Sequence, residues 1–248
     1  MDQGYCFVTI SPVRAENRDQ GEIVTQLLFG EAVTVLEIAP PWAKIKSIAD
    51  GYEGWIDVKH IKKLTDKEMR RWMDGLDYLP DRERLLQTPW GQQWICRGAF
   101  LPPGQESFKI GNDSFEWLSE SNTQFSDVWS CAESYINTPY LWGGKSPFGI
   151  DCSGFTQAVY RFFNINLPRD ASQQVLDGAE VAFEDIQTGD LAFFHNDSGK
   201  ITHVGILDDE GHILHASGHV RKDLFTSDGI VHSETGSITH KLSVIKRW

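Results

Sequence analysis

The stretch YLWGGKSPFGIDCSGFTQAVYRFF, Tyr140 to Phe163, places a cysteine between a glycine-rich turn and the start of a helix. Gly143, Gly144, Pro147 and Gly149 precede Cys152. After it, Phe155, Ala158, Val159, Phe162 and Phe163 fall at i, i+3, i+4, i+7 and i+8, the apolar stripe of a core-facing helix. Cys152 therefore lies at or near a helix N-terminus, where unpaired backbone amides and the helix dipole favour a thiolate over a thiol. Two readings follow: a nucleophile, or a small apolar residue filling a tight corner.

The pattern extends outward on both sides. Upstream, Ser126 can cap a helix that buries Val128, Trp129, Ala132, Tyr135 and Ile136. Downstream, LPRDASQQV offers Asp170 as the cap of another short helix. The chain then turns to strands: DLAFFH, ITHVGILD, HILHASG and ITHKLSVIK. Helices first and antiparallel strands after is an α+β pattern, over residues 126–248.

The preceding segments read differently. In residues 1–64, IVTQLLFGEAVTVLE, WAKIKS and GYEGWID are short β-rich runs between Gly, Pro and Asp turns, a small β barrel with Trp42 and Trp55 expected in its core. Thr65 to Glu68 forms a capping box that starts a helix running to about Met73. The remainder of 65–125 reads as a linker or a second small β unit, with a hairpin over IGNDSFEW.

A thiolate nucleophile needs a base to take its proton and return it to a leaving amine. His203 of THVGIL and His215 of HILHASG lie on consecutive strands joined through DDEG. Strand faces alternate with period two, so the two imidazoles share a face only if the connecting loop is odd. A three-residue loop with Gly211 in the left-handed conformation satisfies this, leaving His203 as base and His215 as its orienter. Cys152, His203 and His215 as zinc ligands would require a fourth ligand or an open water position, and no metal-type pair spacing supplies one. No metal and no cofactor is expected. His60, His195, His212, His219, His232 and His240 read as surface or turn residues.

DCSGF followed by HVGI and HASG resembles the NlpC-type cysteine peptidases of bacterial cell walls, over roughly residues 126–248. The resemblance implies a papain-like peptidase domain with a Cys-His-His triad: Cys152 as nucleophile, His203 as general base, His215 as third member. GYEGWI in the preceding barrel resembles the bacterial SH3-like domain that accompanies such enzymes. The subgroup it is most similar to recycles peptidoglycan by cleaving γ-D-glutamyl-L-diamino-acid bonds. By that resemblance Tyr140 stands at the reacting centre, where its phenol can donate to substrate or oxyanion. Asp170 of PRDASQQ anchors the free amine of the substrate's L-Ala, with Ser172 nearby, and Asp151 and Ser153 contact the γ-glutamyl portion. Tyr52 and Glu16 face the substrate from the SH3-like domain, which walls off the site.

The partner so implied is a murein peptide, L-Ala-γ-D-Glu-diamino acid, the diamino acid being meso-diaminopimelate or lysine. A net charge of −12 argues against nucleic acid or anionic membrane as the main partner, and no apolar run approaches a membrane span. Cys6, Cys96, Cys131 and Cys152 are widely spaced with no CxxC, as free thiols in a reducing compartment would be. MDQGYCFVTI carries no basic or apolar leader, so a cytoplasmic location is expected, or an exported one if a leader has been trimmed. Two other function classes share the fold: an inert cell-wall-peptide binding module, and an acyltransferase or amidase.

Overall fold

The structure is a computed structural model that describes every residue except Met1 and Asn122. The chain divides into two compact units, residues 1–124 and 125–248.

In the first unit, seven strands form one antiparallel sheet: β1 (Asp2–Cys6), β2 (Ile10–Arg14), β3 (Ile23–Leu28), β4 (Ala32–Ala39), β5 (Trp42–Ser47), β6 (Glu53–Asp57) and β7 (Ile61–Leu64). Its order is β3-β2-β6-β5-β4-β1-β7. Val13, Leu27, Val33, Val35, Ala43, Ile45 and Ile56 form the core. Trp42 and Trp55 do not join it. Along β5 and β6 the inward positions belong to Ala43, Ile45 and Ile56, and alternation turns the two half-buried indoles to the other face.

The expected capping box forms: the Thr65 side chain accepts from the Glu68 amide and the Glu68 carboxylate accepts from the Thr65 amide, opening α1 (Asp66–Trp72). Beyond it lie β8 (Asp77–Tyr78), β9 (Glu83–Thr88), β10 (Gly91–Cys96), β11 (Phe100–Leu101), β12 (Ser107–Ile110) and β13 (Asp113–Trp117). The IGNDSFEW hairpin is β12–β13, turning through Gly111 at φ 59°. These strands share a core with the barrel, in which Tyr5, Phe29, Met69, Trp72, Leu86, Phe108 and Phe115 are buried together.

The second unit contains α2 (Val128–Glu133), β14 (Lys145–Ser146), β15 (Gly149–Ile150), α3 (Cys152–Arg161), α4 (Ala171–Gln174), β16 (Ala179–Val181), β17 (Leu191–His195), β18 (Ile201–Leu207), β19 (His212–Ser217), β20 (His219–Thr226), β21 (Gly229–Val231) and β22 (Ile238–Arg247). Asp127, not Ser126, caps α2: its carboxylate accepts from the Ser130 amide, and Ser126 donates its hydroxyl to that same carboxylate. The helix ends at Glu133, so Tyr135 is buried from the following turn and Ile136 is exposed.

The last sheet runs β16-β22-β17-β18-β19-β20-β21, and β21 pairs back onto β22, closing six strands on themselves. This closure buries both faces of β17 and β18. Phe193, Val204, Ile206 and Leu214 pack outward with Phe155 and Val159 of α3. Ala192, Phe194, Leu207, Ile213, Phe225 and Ile230 fill the enclosed interior. Each of the larger side chains contributes roughly 2 kcal/mol on burial, and the run LAFF is apolar at every position because neither face is wet. Among the described residues no helix is long and apolar enough to cross a membrane.

Candidate active site

Cys152 is the first residue of α3, capped by Asp151, whose Oδ1 accepts from the Gly154 amide at 2.7 Å. Glycines on either side of it are steric requirements. A Cβ on Gly154 would lie 2.2 Å from the Gly144 carbonyl oxygen, and one on Gly144 would lie 2.4 Å from that of Gly149. The β14–β15 hairpin can press against the helix start only without those side chains.

Asp151 and Ser153 were expected to contact substrate. Asp151 is instead clamped by Arg169: Nη2 reaches Oδ2 at 2.6 Å and Nη1 reaches Oδ1 at 2.9 Å. The Gly143 amide also donates to Oδ2, at 2.8 Å, so both carboxylate oxygens are engaged and the group is 6% exposed. The Ser153 hydroxyl accepts from Arg169 Nη1 at 3.0 Å. These side chains hold the cysteine loop to the RDASQQ segment. Gln174 completes the tie, donating to the Ser153 and Pro168 carbonyls and accepting from the Thr156 hydroxyl. Arg169 and Gln174 escaped the sequence reading although both lie within the motif that singled out Asp170.

Asp170 occupies the N-cap position of α4, but its carboxylate makes no capping bond, contrary to expectation; its backbone carbonyl accepts from the Gln173 and Gln174 amides. Ser172 is exposed on the same short helix. Tyr140 is fixed through its neighbours: its amide donates to Gly218, the Ile150 amide donates to Pro139 and the Leu141 amide to Ile150. Burial raises its phenol to about 12, with the charge of a Cys152 thiolate adding to the rise, so the two groups are electrostatic neighbours. Glu16, paired with Arg18 at 2.7 Å, and Tyr52 lie in the first unit, just beyond the same end of the β2–β6 pair, where Arg14 faces Trp55.

The histidine strands follow the parity argument. Gly205 faces His215, Leu207 faces Ile213, and the Asp208 amide donates to the His212 carbonyl, leaving Asp209, Glu210 and Gly211 as a three-residue loop with Gly211 at φ 87°. His203 and His215 are diagonal neighbours on the interior face of the closed sheet. Gly205 leaves the space between them: a Cβ there would meet Ile213 at 2.7 Å and the His215 Cβ at 2.9 Å. Across that gap His203 Nε2 lies 2.9 Å from His215 Nδ1.

Cys152 Sγ approaches the same strand, within hydrogen-bond reach of the Val204 amide. Burial pushes its thiol up to about 12, Asp151 adding to the rise, while the Val204 and Ser153 amides and Arg169 pull the other way. The helix terminus was expected to yield a thiolate; burial outweighs it in the free site. Burial also holds His203 well below its ordinary pKa, assisted by His215 and His240. The resting pair is thus a neutral thiol and a neutral imidazole, an arrangement suited to general-base activation.

His240 is not a detached surface residue. Its ring stacks on His203 with centroids 4.1 Å apart and planes inclined by 24°. Nitrogens of His203, His215 and His240 all lie within 4.8 Å of one another. Imidazole lone pairs lie in the ring plane, and two nearly parallel stacked rings cannot both aim at one ion about 2 Å away. The trio is a packed base, with three imidazoles neutral by burial.

A pH dependence follows. Unfolded histidines take up protons below pH about 6.5, whereas His203, His215 and His240 resist them, His240 down to about 4. The unfolded state therefore binds more protons in this window, and stability falls as pH drops from 6.5 towards 4. Calorimetric unfolding temperatures should decline across that range, and His240→Phe should flatten the decline; an unchanged slope would remove His240 from the account.

The NlpC/P60 family model matches residues 137–238, and the bacterial dipeptidyl-peptidase Sh3 domain model matches residues 13–61. A "probable endopeptidase NlpC" of Escherichia coli is 35% identical over 123 residues, covering 49% of this chain and 75% of that protein. The chain belongs to the NlpC/P60 family. By that membership it is a peptidase, with a papain-like domain preceded by an SH3-like barrel. A "gamma-D-glutamyl-L-lysine dipeptidyl-peptidase" of Bacillus cereus is 28% identical over 224 residues, covering 79% of this chain and 67% of that protein. The crystal structure of an NlpC/P60 family protein from Bacillus cereus superposes with a TM-score of 0.79 at 20% identity, covering 99% of both chains, which establishes likeness of fold.

Proposed function

We propose that this peptidase hydrolyses the γ-D-glutamyl-L-diamino-acid bond of murein peptides that carry a free N-terminal L-Ala, through an acyl-enzyme on Cys152. The observation that carries the reading is the hydrogen bond of His203 Nε2 to His215 Nδ1, which leaves His203 Nδ1 as the ring nitrogen available to a cysteine on the adjoining helix start. The relatives named as γ-D-glutamyl-L-lysine dipeptidyl-peptidases support the bond chosen.

His203 takes the Sγ proton as sulfur adds to the γ-carbonyl carbon, and negative charge develops on the former carbonyl oxygen. The Cys152 amide, first in the helix and without an intrahelical acceptor, can stabilise that oxygen, with the Tyr140 phenol as a second donor. His203 then protonates the departing amine as the C–N bond breaks, leaving a thioester. Water attacks the thioester, its proton passing to His203; the C–S bond breaks and the proton returns to sulfur. The products are L-Ala-D-Glu and the diamino acid. Asp170, at the N-cap position of α4, pairs with the substrate ammonium.

Mass spectrometry of L-Ala-γ-D-Glu-meso-diaminopimelate and its Nα-acetylated form tests this. The free-amine peptide should release L-Ala-D-Glu, and acetylation should lower kcat/KM by about a hundredfold or more, since a buried or half-buried carboxylate loses its charge partner. Equal turnover of both peptides would remove the free-amine specificity, and no cleavage of either would remove the substrate assignment.

A further inference from the structure

We propose that Asp223, on β20, is a positioning residue of this machinery: through His215 it fixes the proton order of both imidazoles, so that His203 presents a bare Nδ1 to Cys152. The inference rests on the Cys152–His203 reading above and adds a residue to it. Asp223 lies on the interior face of the closed sheet, because Ile213 faces Asp223 and His215 faces Arg221 across the β19–β20 ladder. Its side chain is 1% exposed, and Oδ2 lies 3.0 Å from His215 Nε2. It is held there by the Ser233 amide on Oδ1 at 2.9 Å and by Arg221, with Nη2 on Oδ1 at 3.1 Å and Nε 2.8 Å from Oδ2.

The consequence is a matter of donors and acceptors. An ionised carboxylate only accepts, so His215 Nε2 must carry the hydrogen. A neutral His215 then has a bare Nδ1, which can only accept from His203 Nε2–H. A neutral His203 in turn has a bare Nδ1, the base. With both rings neutral, no other proton order satisfies the two hydrogen bonds. Reversing the bond at Asp223 would reverse both rings and leave His203 Nδ1 protonated and useless as a base.

The charges around the relay agree with this role. His215 meets His203 of β18, His240 of β22, Arg221 and Asp223 of β20, and the nearby His232. Arg221 balances Asp223 at rest. When His203 becomes imidazolium, its Nε2–H points through His215 to the one buried anion of the cluster. The hydrogen bonds from His215, Ser233 and Arg221 hold Asp223 below the usual carboxylate range against burial, so it remains the acceptor throughout the working pH range.

The test combines kinetics with nitrogen-15 NMR of the histidines in the full-length protein. In the wild type at pH 7, His203 and His215 should both carry their proton on Nε2. In Asp223→Asn, an amide N–H turned to His215 Nε2 should move both to Nδ1, lower kcat by about a hundredfold or more, and leave KM within a few-fold. The acid limb of kcat/KM should shift to lower pH, since the anion that favoured the imidazolium is gone. A Nδ1–H tautomer at either ring in the wild type would overturn the proposal even if Asp223→Asn fails to fold. Wild-type kcat and an unmoved limb in a folded Asp223→Asn would overturn it as well. Loss of the Cys152 assignment would show separately, as Cys152→Ala retaining activity.

Discussion

Cys152→Ala and His203→Ala should each lower turnover of the γ-glutamyl peptide by about ten-thousandfold or more, with peptide affinity held within a few-fold. In the proposed mechanism these are the two reacting groups: sulfur at the first position of α3 against the Val204 amide, and an imidazole on the neighbouring residue whose far nitrogen is tied to His215. A neutral thiol pushed up to about 12 is a poor nucleophile without its base. Removing the base should therefore cost nearly as much as removing the sulfur. The double variant should be little worse than either single one, because groups that act in one step do not contribute additively. Steady-state kinetics with calorimetric peptide binding reads all three. Residual activity in Cys152→Ala near the wild-type level would end the cysteine-peptidase mechanism. A double variant whose loss equals the product of the two single losses would show that the groups act in separate steps.

Much of the site was legible because local rules governed it. The helix start at Cys152 and the parity of the DDEG loop needed only periodicity and turn chemistry, and the structure places both as read, although α3 ends at Arg161 and Phe162 and Phe163 pack on the core from beyond it. Asp223 was hidden because the hydropathy of β20 misleads. Asp223 is buried at 2% exposure while its neighbour Leu224 is exposed at 49%. A charged residue faces the interior there because closure of β21 onto β22 turns the Arg221, Asp223 and Phe225 face inward, and no short window of sequence announces a closed sheet. His240 was missed for the same reason: its place over His203 depends on β22 returning alongside β21, with Ile230 facing His240. Among adjacent charges the motif RD drew attention to Asp170, yet the buried partner is Arg169. Which of two neighbouring side chains points into a protein depends on α4 packing against α3, a tertiary fact.

Arg169→Met should destabilise the second unit by about 3–5 kcal/mol, because it strands the Asp151 carboxylate in a dry loop. The ion pair is buried on both sides, with side-chain exposures of 1% for Arg169 and 8% for Asp151. Three things depend on it at once: the cap of α3, the β14–β15 hairpin through the Gly143 amide, and the α4 segment that carries Asp170. Calorimetry should show the main transition lowered by about 10 °C or more. The decisive comparison is Arg169→Met with Asp151→Asn. Asparagine retains a good N-cap and removes the unpaired charge, so the double variant should be more stable than Arg169→Met alone by about 2 kcal/mol. Activity should not return with that stability if the clamp also fixes where Cys152 sits, since a neutral pair lacks the two short charged bonds that hold the helix start in register. A double variant no more stable than the single one would mean that packing of the guanidinium, rather than its charge, holds the loop.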